Sequence, residues 1–157
     1  MILDPYLVAK WLHILSATVL FGTGIGTAFQ MVWAMRSGQA AQVAGVASGV
    51  VAADWLFTLP AGVIQPVTGV WLAHLAGHDL AEGWLVATYV LYAVAFAAWA
   101  PVVLLQYRIR DLARAAGTGP VPLAARRLYR FWFALGWPGF GALVGVFWLM
   151  VAKPDIF

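Results

Sequence analysis

Among the 157 residues, the side chains best able to do chemistry are His13 with its neighbour Lys10, then Asp54 and His74. His13 lies about two turns into an apolar stretch, and Lys10 stands one turn before it. A neutral imidazole in that setting is the usual axial ligand of a b-type haem in a membrane helix bundle. His13 is therefore the candidate metal ligand, with Lys10 placed to meet a haem propionate. The alternative is an imidazole satisfied by a neighbouring hydroxyl. His74 is the candidate second ligand. Nine residues separate it from Gln65, so at about 100° each it points away from the face Gln65 occupies unless Pro66 turns the helix. His78, beside Asp79, reads as a solvated loop residue. Three histidines without i,i+4 spacing are weak grounds for any other metal site.

The remaining polar residues fall into stripes. Asp54, Thr58, Gln65 and Thr68 line one face, with Ala61 or Gly62 filling the gap. On the preceding run, His13, Ser16, Thr23, Thr27 and Gln30 fall within about 100° of arc. Two such stripes on adjacent helices are expected to face each other, where interhelical hydrogen bonds contribute roughly 0.6 kcal/mol apiece. Asp54 needs more explanation, because a carboxylate inside a span costs roughly 2.5–3.5 kcal/mol unless paired or neutralised. Pairing with a loop arginine and a proton or ligand role are both open. Tyr92 and Trp99, one heptad apart, would line a pocket.

The elements that must position these groups are membrane spans. The chain is 64% hydrophobic and 10% charged, against about 25% charged for a soluble domain. A bilayer core needs about 20 mostly apolar residues per helix, and four stretches qualify: 7–33, 51–75, 84–106 and 129–152. They predict an all-α transmembrane four-helix bundle, in one domain spanning 1–157. The first stretch, with Asp4 and no basic leader, does not read as a cleavable signal. A net charge of +3 is too small, and its charges too scattered, for nucleic acid. With no cysteine there is no disulfide, thiolate metal site or cysteine nucleophile. The glycines Gly22–Gly26 lie within an apolar span, which rules out a dinucleotide loop there.

Residues 34–50 read as a connection carrying only Arg36. The stretch 107–128 holds Arg108, Arg110, Arg114, Arg126 and Arg127, with Arg130 just after, and Gly117-Thr118-Gly119-Pro120 reads as its turn. Lys10 and Lys153 are the basic residues of the opposite side. Arginines in short loops stay cytoplasmic, so both termini are expected outside, in the periplasm if the host is bacterial. Trp11, Trp84, Trp132 and Trp148 are expected at the membrane interfaces. Gly22, Gly24 and Gly26, like Gly136, Gly139, Gly141 and Gly145, are expected to let helices approach closely.

Four segments carry a resemblance: Lys10-Trp11-Leu12-His13-Ile14-Leu15-Ser16-Ala17, Leu20-Phe21-Gly22-Thr23-Gly24, Ala53-Asp54-Trp55-Leu56-Phe57 and Gln65-Pro66-Val67-Thr68-Gly69. In these the chain resembles a bacterial family of predicted integral membrane proteins of unknown function. More distantly, Lys10 with His13, Gly69-Val70-Trp71-Leu72, Gly83-Trp84-Leu85, Arg127, Arg130-Phe131 and Lys153-Pro154 are similar to the small membrane protoporphyrinogen oxidases. Those are four-helix haem proteins, and the resemblance implies a haem-ligating role for His13. It departs at Val86-Ala87-Thr88, where that family has His-x-Lys. The resemblance thus implies haem or porphyrin binding and leaves the oxidase activity unsupported.

The leading expectation is a bacterial inner-membrane protein holding haem b at His13, with an electron-transfer or oxidoreductase role and quinone or another redox partner. The rivals are a small transporter or channel along the Asp54/Gln65 stripe, which four helices would require to be a homo-oligomer, and a membrane scaffold or assembly protein.

Overall fold

The computed structural model describes residues 4–156. Four long helices account for nearly all of them: α1 Pro5–Ser37, α2 Ala40–Leu75, α3 Gly83–Ala116 and α4 Leu123–Ala152. Each is long and apolar enough to cross a bilayer. At about 1.5 Å per residue, even the shortest, of 30 residues, runs about 45 Å and outreaches a hydrocarbon core of about 30 Å. The bundle expected from the sequence is thus present, with helices extending beyond the spans.

Local signals set the helix ends. Asp4 caps α1 by accepting the Tyr6 N–H at 2.9 Å, and Pro5 occupies the first turn, where its missing N–H costs nothing. Gly38 ends α1 in the left-handed region, φ 71°, the conformation a helix C-terminus favours and glycine adopts without strain. The largest departure from expectation is residues 34–50. Instead of a connection, α1 runs on to Ser37, a two-residue turn follows, and α2 begins at Ala40. The alanine-rich stretch forms helix because its small residues Ala40, Ala44 and Ala47 disappear against neighbouring helices.

α2 is not regular. Asp54–Thr58 form a π-helical turn in which the Leu59 N–H reaches back five residues to the Asp54 carbonyl. Pro60, two residues beyond, has no N–H to give and would crowd the carbonyl four residues back. Widening the ladder by one residue accommodates it.

α1 packs along α2 and α3 along α4. The two pairs are locked together at the arginine-rich end. There the α1–α2 and α3–α4 turns exchange backbone hydrogen bonds, Ala40 N–H to Gly119 O at 3.0 Å and Val121 N–H to Gly38 O at 2.9 Å. A buried cluster lies beneath, with Met31, Val43, Ile109, Ala125 and Trp132 drawn from all four helices. A smaller cluster of Ala73, Trp84, Leu85 and Leu149 closes α2 on α3 and α4 at the end bearing the termini. Between the clusters the pairs stand apart and meet through large side chains: Phe21 against Phe140 at 4.9 Å and Phe147 at 5.2 Å, and the Tyr92 hydroxyl donating to the Gly62 carbonyl.

Candidate functional site

That separation leaves a cavity of ≈ 440 Å³ between the two helix pairs, within the span. Aromatic and aliphatic side chains of all four helices line it, Phe29, Phe96, Phe133, Trp137 and Phe140 among them. Glycines make the room. A Cβ at Gly24 or Gly136 would meet nothing within 4 Å, so these positions open space. Of the two glycine sets expected to seat helices closely, only Gly139, facing Ala98, and Gly145, facing Leu91, do so. Gly22, Gly24, Gly26, Gly136 and Gly141 face no neighbour within that distance. α1 and α4 touch little, so the α1 glycines and Gly136 and Gly141 of α4 have no helix to press on.

The polar content of the cavity is concentrated at Asp54. Its side chain is 5% exposed, and the Trp99 Nε1–H approaches Oδ1 at 3.4 Å. Thr58 and Gln106 stand beside the same carboxyl. Asp54 Oδ2, Thr58 Oγ1, Gln106 Oε1 and Trp132 Nε1 are all buried with no hydrogen-bond partner of good geometry. Three of those four residues, Asp54, Thr58 and Trp132, line the cavity. Buried polar atoms are almost always paired, so such a group around one hollow asks for a reason. The π turn supplies the placement. It begins at Asp54 and keeps Asp54 and Thr58 on the cavity side while the helix detours around Pro60, and π turns recur at functional sites. Pairing of Asp54 with a loop arginine does not occur. The ion pairs among the described residues are His78–Glu82 and Arg110–Asp111, and Arg114 donates instead to Ser48 at 2.8 Å.

Of the residues singled out from the sequence, Asp54, Thr58, Tyr92 and Trp99 come together here. Gln106 and Trp132 were missed. Gln106 had a signal, since Tyr92, Trp99 and Gln106 recur every seven residues on one face. Trp132, expected at the interface, is buried because α4 starts nine residues earlier, which carries its ring into the bundle. Trp84 is likewise buried, in the cluster with Ala73, while Trp11 and Trp148 are exposed.

His13 lies elsewhere. Its Nδ1 is 2.9 Å from Thr68 Oγ1, and Ser16 Oγ donates to Gln65 Oε1 at 3.1 Å. With the amide turned the other way, the Gln65 nitrogen instead donates to Ser16 Oγ at 3.1 Å and to His13 Nδ1 at 2.8 Å. The ring nests against Gly69, where a Cβ would come within 3.2 Å of Cε1. These contacts join α1 to α2 as interhelical hydrogen bonds. The cavity begins about two turns away at Leu20 and includes neither His13, Lys10 nor Gln65. His74 is exposed on α2, and Lys10 is exposed with its ammonium 5.7 Å from the Tyr6 ring centroid. Gln30 is exposed too. It sits about 100° from the line through His13 and Met31, at the edge of its stripe, and Met31 is the residue buried there. No cluster of three His, Cys, Asp or Glu occurs among the described residues. The surroundings of His13 are those of an interhelical hydrogen bond, with Thr68 at one ring nitrogen and Gly69 close against Cε1.

Compared with family models, the chain matches the predicted integral membrane protein family DUF2269 over residues 7–154. It belongs to that family. DUF2269 is described as a family of predicted integral membrane proteins, in keeping with the four apolar helices of this member. No curated protein and no solved structure matches the chain.

Proposed function

We propose that this DUF2269 protein binds a lipophilic small molecule, taken from the bilayer, in the cavity between its helix pairs. The apolar body of the ligand lies among the aromatic walls, and its polar end meets Asp54, Thr58 and Trp132. The observation that carries this reading is the set of unpartnered buried polar atoms around one apolar hollow. Ligand sites commonly combine apolar walls with a few convergent polar groups in a few hundred Å³. All four helices of one chain build the cavity, so the reading needs no oligomer. A quinone, expected above as a redox partner, has the right general form without any redox role being required.

Native mass spectrometry of the protein in mild detergent tests it. The wild type is expected to retain a small lipophilic adduct. Gly136→Phe, which places a ring in open space inside the cavity, is expected to lose the adduct while keeping its helical circular dichroism. A bare wild-type spectrum, or an adduct equally retained by Gly136→Phe, overturns the reading. A Soret band that disappears in His13→Ala would put a haem centre in its place.

A further inference from the structure

We infer that the ligand of this cavity is a lipophilic cation and that the Asp54 carboxylate is its counter-ion. The inference rests on the binding reading above and adds the charge of the ligand.

Asp54 is 95% buried, lines the cavity, and leaves Oδ2 without a partner. Its neighbours Thr58, Trp99 and Gln106 are neutral. The basic side chains with defined partners are turned elsewhere: Arg110 onto Asp111 and the Tyr107 ring, Arg114 onto Ser48, and Arg126 onto the Val121 carbonyl. The protein therefore brings a carboxyl group into an apolar hollow, and among the described residues no basic side chain pairs with it. Neutral hydrogen-bond donors soften that burial but do not cancel a charge.

The walls favour the same ligand. Tyr92, Phe96, Trp99, Trp132, Phe133 and Trp137 line the cavity. Aromatic faces attract cations, more strongly when both are desolvated. An acid surrounded by rings at the wall of an apolar hollow selects a cation with an apolar shell. A neutral alcohol or quinol would satisfy Thr58 and Trp132 and leave Asp54 to be neutralised by a proton, whereas a cation pairs with the ionised carboxylate directly.

Two probes of nearly equal shape separate charge from greasiness: methyltriphenylphosphonium and its uncharged carbon counterpart 1,1,1-triphenylethane, each tritiated, in equilibrium dialysis against detergent-solubilised protein. Wild type is expected to bind the phosphonium at least about tenfold more tightly than the neutral probe, the order of effect expected for a desolvated charge pair. Asp54→Asn is expected to remove that preference and keep the neutral probe's affinity, and Asp54→Glu to retain the preference. Equal binding of the two probes by wild type overturns the cation inference and leaves the cavity reading standing, and that comparison decides even if Asp54→Asn fails to fold. A phosphonium preference that survives in a folded Asp54→Asn also overturns it. If neither probe binds, or if both bind Gly136→Phe as well as wild type, the cavity reading itself fails.

Discussion

Glu82 sits at the centre of the polar network on the face bearing the termini. Its carboxylate accepts the Trp84 Nε1–H at 2.6 Å and the Asp79 N–H at 3.0 Å, and lies 3.1 Å from His78 Nδ1. Lys153, at the end of α4, completes the group. Its Nζ is 3.3 Å from His78 Nε2 and lies over the Trp84 ring at 5.4 Å. The Trp84 hydrogen bond, helped by His78 and the Asp79 backbone, holds the Glu82 carboxyl below its ordinary value of 4.5. A depressed acid of this kind contributes stability above its unfolded pKa and loses it as pH falls through the folded one. The packing of Trp84, followed by near-ultraviolet circular dichroism, is therefore expected to loosen on acidification from about pH 4.5 downward. Glu82→Gln is expected to lack this transition, and an unchanged titration in that variant would refute the assignment.

The same scale shows how far single residues could be read in advance. Asp54 stood out because a carboxyl inside a span is costly, and it is the polar centre of the cavity. His13 offered two readings of equal chemical sense, a metal or a hydroxyl. Thr68 and Gly69, 55 and 56 residues further along, support the hydroxyl, and nothing near His13 in the chain announces them.

At the scale of elements, the contrast among glycines yields a prediction. A Cβ at Gly139 would come within 3.2 Å of the Ala98 Cβ and 3.8 Å of the Ala95 carbonyl, neither of which can swing aside. Gly139→Ala is expected to cost roughly 1–3 kcal/mol by overpacking α3 against α4. Gly24→Ala, with open space around it, is expected to be neutral or to stabilise by up to about 1 kcal/mol through helix propensity. Unfolding in detergent–denaturant mixtures compares them, and equal effects would deny that only one of the two sits in a helix contact. Helix existence was legible from hydropathy. The start of α2 was not, because its small residues between Gly38 and Val50 interrupt the apolar run, although alanine itself favours helix and packing then buries Ala40, Ala44 and Ala47. Nor was the π turn, whose cause at Pro60 is visible in the chain but whose form is one of several ways a helix can meet a proline.

For the molecule as a whole, the cluster at the arginine-rich end is the clamp. Ile109 is fully buried there, whereas Ile25, on the cavity wall, is 45% exposed. Ile109→Ala is expected to cost roughly 2–5 kcal/mol and Ile25→Ala less than about 1 kcal/mol, measured by the same unfolding assay. Comparable losses would mean that the two helix pairs are not held mainly at that end. Orientation is expected to follow from charge. Seven arginines lie at or near the clamped end, against Lys10 and Lys153 at the other. By the positive-inside rule that end is expected to be cytoplasmic. The chain has no cysteine, so introduced ones report cleanly. In intact cells, an impermeant maleimide is expected to label Ala81→Cys, in the α2–α3 turn, and to spare Thr118→Cys. The reverse pattern would invert the topology.

Spanning, helix number and the charge bias between the two faces could be taken from the chain alone, because the cost of placing a residue in hydrocarbon adds up locally along the sequence. The hollow beside Asp54 could not. It exists because α1–α2 and α3–α4 pack tightly within each pair and stand apart beyond the clamped end, where the first half of α2 meets α3. That spacing depends on which faces of distant helices meet and on how a π turn rotates one of them, and both are properties of the assembled bundle.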